Sequence, residues 1–183
     1  MAKLVDVLVS GASAARHGGS SPFPGTNGWH RCQPFLFSVP VTFTDAYNFI
    51  SKLNALKVFN AVSVLSSFYF SKWTKKPIQY GVPFNVSIEP TTNCNLGCPE
   101  CPSGLKNFTR PTGNLDYDFY KKTVDEIGDK LIYLYFYFQG EPYMHPKFLE
   151  LVKYASKKKI YSVASTNAHF LTERKARETV ESG

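Results

Sequence analysis

The sequence has few cysteines and no long hydrophobic run. Its 183 residues include four cysteines, three of them between positions 94 and 101, which is too few and too clustered for a disulfide framework. No stretch approaches the roughly 18 consecutive apolar residues of a membrane-spanning helix. Asp6 interrupts the short apolar run that a signal peptide would need. We therefore expect a protein of a reducing compartment, the cytoplasm.

Acidic residues are scarce in the first half of the chain. The formal net charge is +7, and residues 1–88 hold only Asp6 and Asp45 as acids, whereas acids and bases nearly balance over 89–183. This shift predicts a boundary between a basic leader and the main fold. The basic residues are scattered and no nucleic-acid motif accompanies them, so we expect no nucleic-acid partner.

The length and composition suit one folded domain with an extension. Hydrophobic residues make up 43% of the chain and aromatic residues 15%, which is enough to fill a core. Glycine and proline breakers concentrate near the N-terminus. We predict an irregular or disordered leader over 1–44, a helical extension over 45–76 and a folded domain over 77–183.

The extension is unusually apolar for a helix. From Asp45, a candidate N-cap, apolar residues recur at spacings of three and four as far as about residue 73. The helix could pack against the following domain, or lie on a membrane surface with Lys72, Lys75 and Lys76 at the headgroups. We favour the first arrangement, because interfacial helices usually keep a strongly charged face, which this segment lacks.

From residue 77 onward, strand patterns alternate with helix patterns. Strands are predicted over 84–88, 131–138 and 160–165. Helices are predicted to follow each strand, with Asp116 and Thr172 as N-caps of two of them and Pro146 as the first residue of another. Strand–helix repeats indicate an α/β fold with a parallel sheet and right-handed crossovers.

Three loops are expected to meet at one edge of this sheet. Loops that leave the C-terminal ends of parallel strands lie on one side, where ligands bind. They are residues 94–101 after the first strand, 139–142 after the second, and 166–167 after the third. The pattern therefore predicts that the cysteines, an acid and small polar residues share one rim.

The first loop spaces Cys94, Cys98 and Cys101 as C-x3-C-x2-C. Three thiolates so close in sequence can hold one metal centre. Zinc usually takes a fourth protein ligand or a water, and His145 or His169 could approach from the other loops. An iron-sulfur cube could instead use three cysteines and leave one iron open. Both alternatives remain at this point.

Three short motifs resemble one family. The cysteine loop is similar to the CxxxCxxC signature of radical S-adenosylmethionine (SAM) enzymes, Gly-Glu-Pro at 140–142 resembles their GEP motif, and Ser-Thr-Asn at 165–167 also resembles the family. The match covers roughly 84–183, about the first half of the usual six-unit core. The residues around the cysteines resemble members with a SPASM-type C-terminal extension.

The resemblance implies a partial TIM-like (βα) barrel of about three βα units that binds two cofactors. Cys94, Cys98 and Cys101 would hold a 4Fe-4S cluster, and the amino and carboxylate groups of SAM would chelate its open iron. The cluster would then supply an electron that cleaves SAM to a 5′-deoxyadenosyl radical. The implied SAM-binding residues are Gly140, Glu141, Pro142, Thr166 and Asn167.

Further expectations concern partners and completeness. The resemblance implies a reductant such as flavodoxin or ferredoxin, and a substrate that is a peptide or a small molecule. Glu100 stands where family members often carry an aromatic residue next to the adenine. Three βα units cannot close a barrel, so we expect a truncated fragment of a longer enzyme whose third strand has an unpaired edge. The alternative is a catalytically inert domain with an iron-sulfur or zinc site.

Overall fold

The computed structural model describes residues 7–9 and 39–183. Cys32 and most of the predicted leader therefore lie outside the described residues. Within that leader, Val7–Val9 form strand β1, and helix α1, Val39–Ser51, begins before its predicted start at Asp45. No helix in the described ranges is long and apolar enough to cross a membrane.

The helical extension consists of two helices, and the prediction of one continuous helix is wrong. Helix α1 ends at Ser51, and helix α2 covers Ala55–Thr74. The side chain of Asn54 accepts a hydrogen bond from the backbone nitrogen of Lys57 at 2.8 Å. Asn54 is thus an N-cap, which starts a new helix.

The main domain alternates strands and helices as predicted. Its elements are strand β2 (Asn85–Ser87), helix α3 (Pro102–Leu105), helix α4 (Tyr117–Ile127), strand β3 (Tyr133–Phe136), a 3₁₀ helix (Pro142–Met144), helix α5 (Phe148–Lys157), strand β4 (Tyr161–Thr166) and helix α6 (Glu173–Ser182).

Two of the three helix starts predicted for the main domain are confirmed by their caps. Asp116 accepts a hydrogen bond from the backbone nitrogen of Phe119 at 2.8 Å, and Thr172 accepts one from that of Lys175 at 3.3 Å. The third prediction is wrong, because α5 begins at Phe148 and Pro146 lies in the turn before it. Pro142 instead opens the 3₁₀ helix, where its fixed φ suits a first helical position.

The strands form an open parallel sheet in the order β1-β4-β3-β2. This confirms an α/β fold with about three βα units. Strand β1 lies on the edge of β4 that was expected to be unpaired, with Leu8 opposite Ser165. That expectation is corrected, because a segment far away in the sequence supplies the missing backbone partners.

The core lies between strands β3 and β4 and helices α4 and α5. Leu134, Phe136, Leu151 and Ile160 are completely buried, and each such side chain contributes about 1.5–3 kcal/mol to folding. Tyr120 joins them, and its hydroxyl donates to the backbone oxygen of Leu151 at 2.8 Å. Burial raises the pKa of Tyr120 well above its ordinary value. This packing fixes the strand ends from which the three loops leave.

Candidate cofactor site

The cysteine loop makes a tight turn and ends in helix α3. Cys94 and Cys101 are half-buried, and Cys98 is exposed. The backbone nitrogen of Cys101 donates to the oxygen of Cys98 at 3.2 Å. Cys101 is also the N-cap residue of α3, which follows directly. The loop therefore presents all three thiols within one short segment next to the sheet.

Backbone groups at the start of α3 favour the thiolate form of Cys101. A hydrogen bond from the backbone of Gly104 lowers the pKa of this thiol against the opposing effect of burial, and the backbone of Ser103 lowers it further. A Cβ on Gly104 would lie 2.4 Å from the nitrogen of Cys98, so α3 approaches the loop as only glycine allows. The thiolate is the form of cysteine that binds metals.

Ser103 and Gln139 connect the cysteine loop to the loop after β3. The oxygen Oε1 of Gln139 accepts hydrogen bonds from Cys101 Sγ at 3.4 Å and from Ser103 Oγ at 3.2 Å. The backbone nitrogen of Gly140 donates to Ser103 Oγ at 2.9 Å. Sequence reasoning did not identify Ser103 as a site residue. Its position two residues after Cys101, in a helix start that faces the rim, is the signal that could have identified it.

Glu141 joins all three loops. Its side chain is 2% exposed, and Oε1 accepts hydrogen bonds from Thr166 Oγ1 at 2.6 Å and from the nitrogen of Tyr143 at 3.2 Å. Oε2 accepts from the nitrogen of Asn167 at 2.8 Å, and the nitrogen of Glu141 donates to the oxygen of Asn93 at 2.7 Å. Four protein contacts thus engage the residue that the resemblance assigns to SAM.

Gly140 lets these loops approach one another. Its φ is +76°, and a Cβ at this position would lie 2.0 Å from the backbone oxygen of Thr91. A left-handed φ and a contact this close both require glycine. The Gly-Glu pair of the motif therefore has a clear packing role at the rim.

Asn167 connects the loop after β4 to the cysteine loop. Its Nδ2 donates to Asn95 Oδ1 at 2.8 Å and lies 4.0 Å from Cys94 Sγ. The amide of Asn95 in turn donates to His169 Nδ1 at 2.9 Å. Cys94, Glu141 and Asn167 thus lie at one rim, as the strand pattern predicts.

The remaining predicted residues lie at the same rim. Thr166 is buried beneath Glu141, and Pro142 is buried at the start of the 3₁₀ helix. A cavity of about 240 Å³ adjoins Cys94, and its lining includes Asn93, Ser103 and Lys106. In the ranges 7–9 and 39–183, no three His, Cys, Asp or Glu side chains converge as a metal-binding group.

The neighbouring histidines are already engaged within the protein. His145 is buried, its Nε2 lies 2.9 Å from the backbone oxygen of Leu115, and its Nδ1 accepts a hydrogen bond from the nitrogen of Lys147. His169 bonds to Asn95. A closed zinc site that uses His145 as its fourth ligand would have to break one of its two contacts, because zinc binds a single ring nitrogen.

Curated relatives match a little more than half of the chain. A tungsten-containing aldehyde ferredoxin oxidoreductase cofactor-modifying protein of Pyrococcus furiosus is 33% identical over 98 residues, which is 52% of this chain and 27% of that protein. A PqqA peptide cyclase of Bradyrhizobium diazoefficiens is 31% identical over 104 residues, 57% of this chain and 27% of that protein. The chain thus spans about a quarter of the length of these relatives.

A solved structure shares the fold. The crystal structure of BtrN in complex with AdoMet and 2-DOIA superposes with a TM-score of 0.51 at 24% identity, covering 56% of this chain and 43% of that one. The model of the Radical SAM superfamily matches residues 88–183. That range begins directly after β2 and includes every residue of the rim. The chain therefore belongs to the radical SAM superfamily.

Proposed function

We propose that this chain binds a 4Fe-4S cluster through Cys94, Cys98 and Cys101, and binds SAM beside it. Cluster and SAM together would supply a one-electron reductive cleavage that yields a 5′-deoxyadenosyl radical. The observation that carries this proposal is the contact of Glu141 with both neighbouring loops, through Asn93 and Asn167. Those contacts gather the cysteine loop and the candidate SAM loops at one edge of the sheet.

The chain's own residues would then divide the work. The three cysteines would hold the cluster, and backbone groups of Gly104 and Ser103 would favour the thiolate of Cys101. The hydrogen bond from Ser103 Oγ to Gln139 Oε1 holds the cysteine loop next to the loop after β3. Gly140 and Glu141 hold the loops together through their contacts with Ser103 and Asn167, and this pair would bind the SAM amino group. Pro142 and Thr166 support this arrangement, while Asn167, half-buried next to Cys94, would contact SAM.

The relatives support a shared chemistry more than a shared substrate. Their names include a cofactor-modifying protein, a PqqA peptide cyclase and an AdoMet-dependent heme synthase. We propose that this chain is part of a longer enzyme of the SPASM type, acting on a peptide or a small molecule. A flavodoxin or ferredoxin of the cytoplasm would supply the electron.

Cofactor loading tests the cysteine assignment without any substrate. The full chain is reconstituted anaerobically with iron and sulfide, and bound metal is then measured by elemental analysis and visible absorption. We expect about four iron atoms per chain. The variant Cys98→Ala should lose the chromophore, whereas Cys32→Ala, which changes a cysteine outside the motif, should keep it.

The same preparation separates the enzyme from an inert metal-binding domain. After chemical reduction and addition of SAM, formation of 5′-deoxyadenosine supports the enzyme. A loaded cluster without 5′-deoxyadenosine favours the inert domain. One tightly bound zinc per chain without iron, or a chromophore that survives in Cys98→Ala, contradicts the cluster assignment.

A further inference from the structure

The outward side of helix α2 is apolar and exposed. Phe59 is 71% exposed, Phe68 60% and Trp73 80%. This outer face is the set of exposed large side chains on α2: Leu56, Val58, Phe59, Val62, Leu65, Phe68, Tyr69, Phe70 and Trp73. So large a contiguous apolar surface on a helix marks an interaction site.

The inward side of α2 is polar. Lys57, Asn60 and Ser67 are its buried residues. Lys57 Nζ donates to the oxygen of Lys159 at 2.6 Å, and Asn60 Nδ2 donates to that of Val82 at 2.9 Å. A surface helix of a globular protein normally turns its apolar side inward. Helix α2 has the opposite polarity, so its apolar face is available to something other than this domain.

Positive charge accompanies this face at its C-terminal end. Lys72 lies in the last turn of α2, and Lys75 and Lys76 follow it, all three exposed. From residue 46 to residue 88 the chain contains no aspartate or glutamate. Trp73 is next to Lys72, and tryptophan favours the boundary between lipid and water.

We propose that the outer face of α2 docks on an anionic lipid surface, with the helix lying in the plane of the interface. Its apolar side chains would enter the acyl boundary, and Lys72, Lys75 and Lys76 would contact the headgroups. An interfacial helix needs a polar side opposite its apolar one, and here the domain itself covers that side through Asn60 and Lys57. The absence of a strongly charged face on the helix is therefore no obstacle.

A second copy of the chain would fit this face less well. In a twofold dimer the outer face of one copy would pack against the outer face of the other. The three lysines would then lie against a surface without negative charge, because the chain has no acidic residue between 46 and 88. Phospholipids such as phosphatidylserine supply both the apolar layer and the negative charge. Charge complementarity therefore favours lipid.

Vesicle flotation of the full chain tests this proposal. Phosphatidylcholine vesicles with phosphatidylserine should carry the protein upward, whereas vesicles without phosphatidylserine should carry much less. Added salt should weaken binding, since headgroup attraction is screened. Failure of the full chain to float with anionic vesicles overturns the proposal.

Paired variants locate the contact. Phe59→Ser with Phe68→Ser should lower partitioning about tenfold or more, whereas Phe119→Ser with Phe138→Ser, which changes two other exposed phenylalanines, should not. Lys72→Glu with Lys76→Glu should weaken binding to anionic vesicles, and Lys122→Glu with Lys153→Glu should weaken it less.

Two results would contradict this assignment. Equal flotation of each variant and its control would show that α2 is not the contact. Light scattering provides the second test. If the chain does not bind lipid but forms a dimer, and only the Phe59 and Phe68 changes dissociate that dimer, the outer face contacts a second copy. Far-ultraviolet circular dichroism checks that each variant remains folded.

Discussion

At the scale of single residues, the carboxylate of Glu141 does more to shape the rim than the motif resemblance suggests. Both of its oxygens accept hydrogen bonds from protein groups, and the side chain is buried. The motif predicts an acid that faces SAM. The structure shows an acid that ties the loops together, and we expect its contribution to SAM binding to be indirect.

The change Glu141→Gln separates these two roles. Glutamine keeps the shape of the side chain. Its amide NH₂, however, would face a group that donates a hydrogen bond to the carboxylate, either Thr166 Oγ1 or the nitrogen of Asn167. We expect the free energy of unfolding to fall by about 1–3 kcal/mol, measured by denaturant titration of the cofactor-free chain. The exposed control Glu126→Gln should change little. Unchanged stability together with lost SAM affinity would mean that the carboxylate faces the ligand.

Two glycines near the cysteines give a matched pair. Gly140→Ala should destabilise the fold by about 3 kcal/mol or more, because the new Cβ meets the oxygen of Thr91 in a backbone conformation that alanine avoids. At Gly97 a Cβ would meet nothing within 4 Å, so Gly97→Ala should stay within about 0.5 kcal/mol of the parent. Thermal unfolding measures both. Equal effects would contradict the close approach at Gly140.

At the scale of elements, α2 shows how a polar helix side can hold an extension onto a domain. The side-chain amide of Asn60 bonds to both backbone groups of Val82, and Ser71 does the same with Ile78. Sequence periodicity identified the helix but not its orientation. Apolar residues outnumber polar ones on α2, so periodicity alone would place an apolar side against the domain. The structure places the polar side there instead.

Lys57 makes this packing dependent on pH. Burial lowers its pKa to about 8. The negative charge of Asp129 opposes this shift, and the positive charges of Lys52 and Lys159 add to it. Between this value and the ordinary lysine pKa of about 10.4 the unfolded chain binds more protons, so the contribution of Lys57 to stability rises with pH. Chemical denaturation from pH 7 to 9.5 should show this rise in the parent and not in Lys57→Met. Parallel pH profiles of the two proteins would contradict it.

Local signals predicted most element starts in the main domain. Asp116 and Thr172 cap their helices because a side-chain oxygen satisfies a free backbone nitrogen, an effect confined to a few residues. Pro146 misled because a proline suits a turn as well as a first helical position. Only tertiary context separates these two uses.

At the scale of the whole molecule, parallel strand order is what brings the site together. The registers of β2 with β3 and of β3 with β4 align the strand ends, and the loops that follow contact one another through Asn93, Glu141 and Asn167. This much follows from the alternation of strands and helices. The pairing of β1 with β4 does not, because it joins residues more than 150 positions apart.

The side-chain network of the rim was also beyond reach of the sequence. The bonds from Cys101 and Ser103 to Gln139 depend on how α3 turns after the cysteine loop. No spacing rule encodes that turn, since α3 is four residues long. Motifs therefore predicted the residues of the candidate site, while packing determined which of them contact each other.

The most direct test of the central claim is electron paramagnetic resonance of the reconstituted, reduced full chain, recorded before and after SAM is added. We expect a signal of a reduced 4Fe-4S cluster whose shape changes when SAM binds its open iron, and no such signal in Cys98→Ala. A cluster signal that SAM leaves unchanged, or no cluster signal in the parent chain, would contradict the central claim.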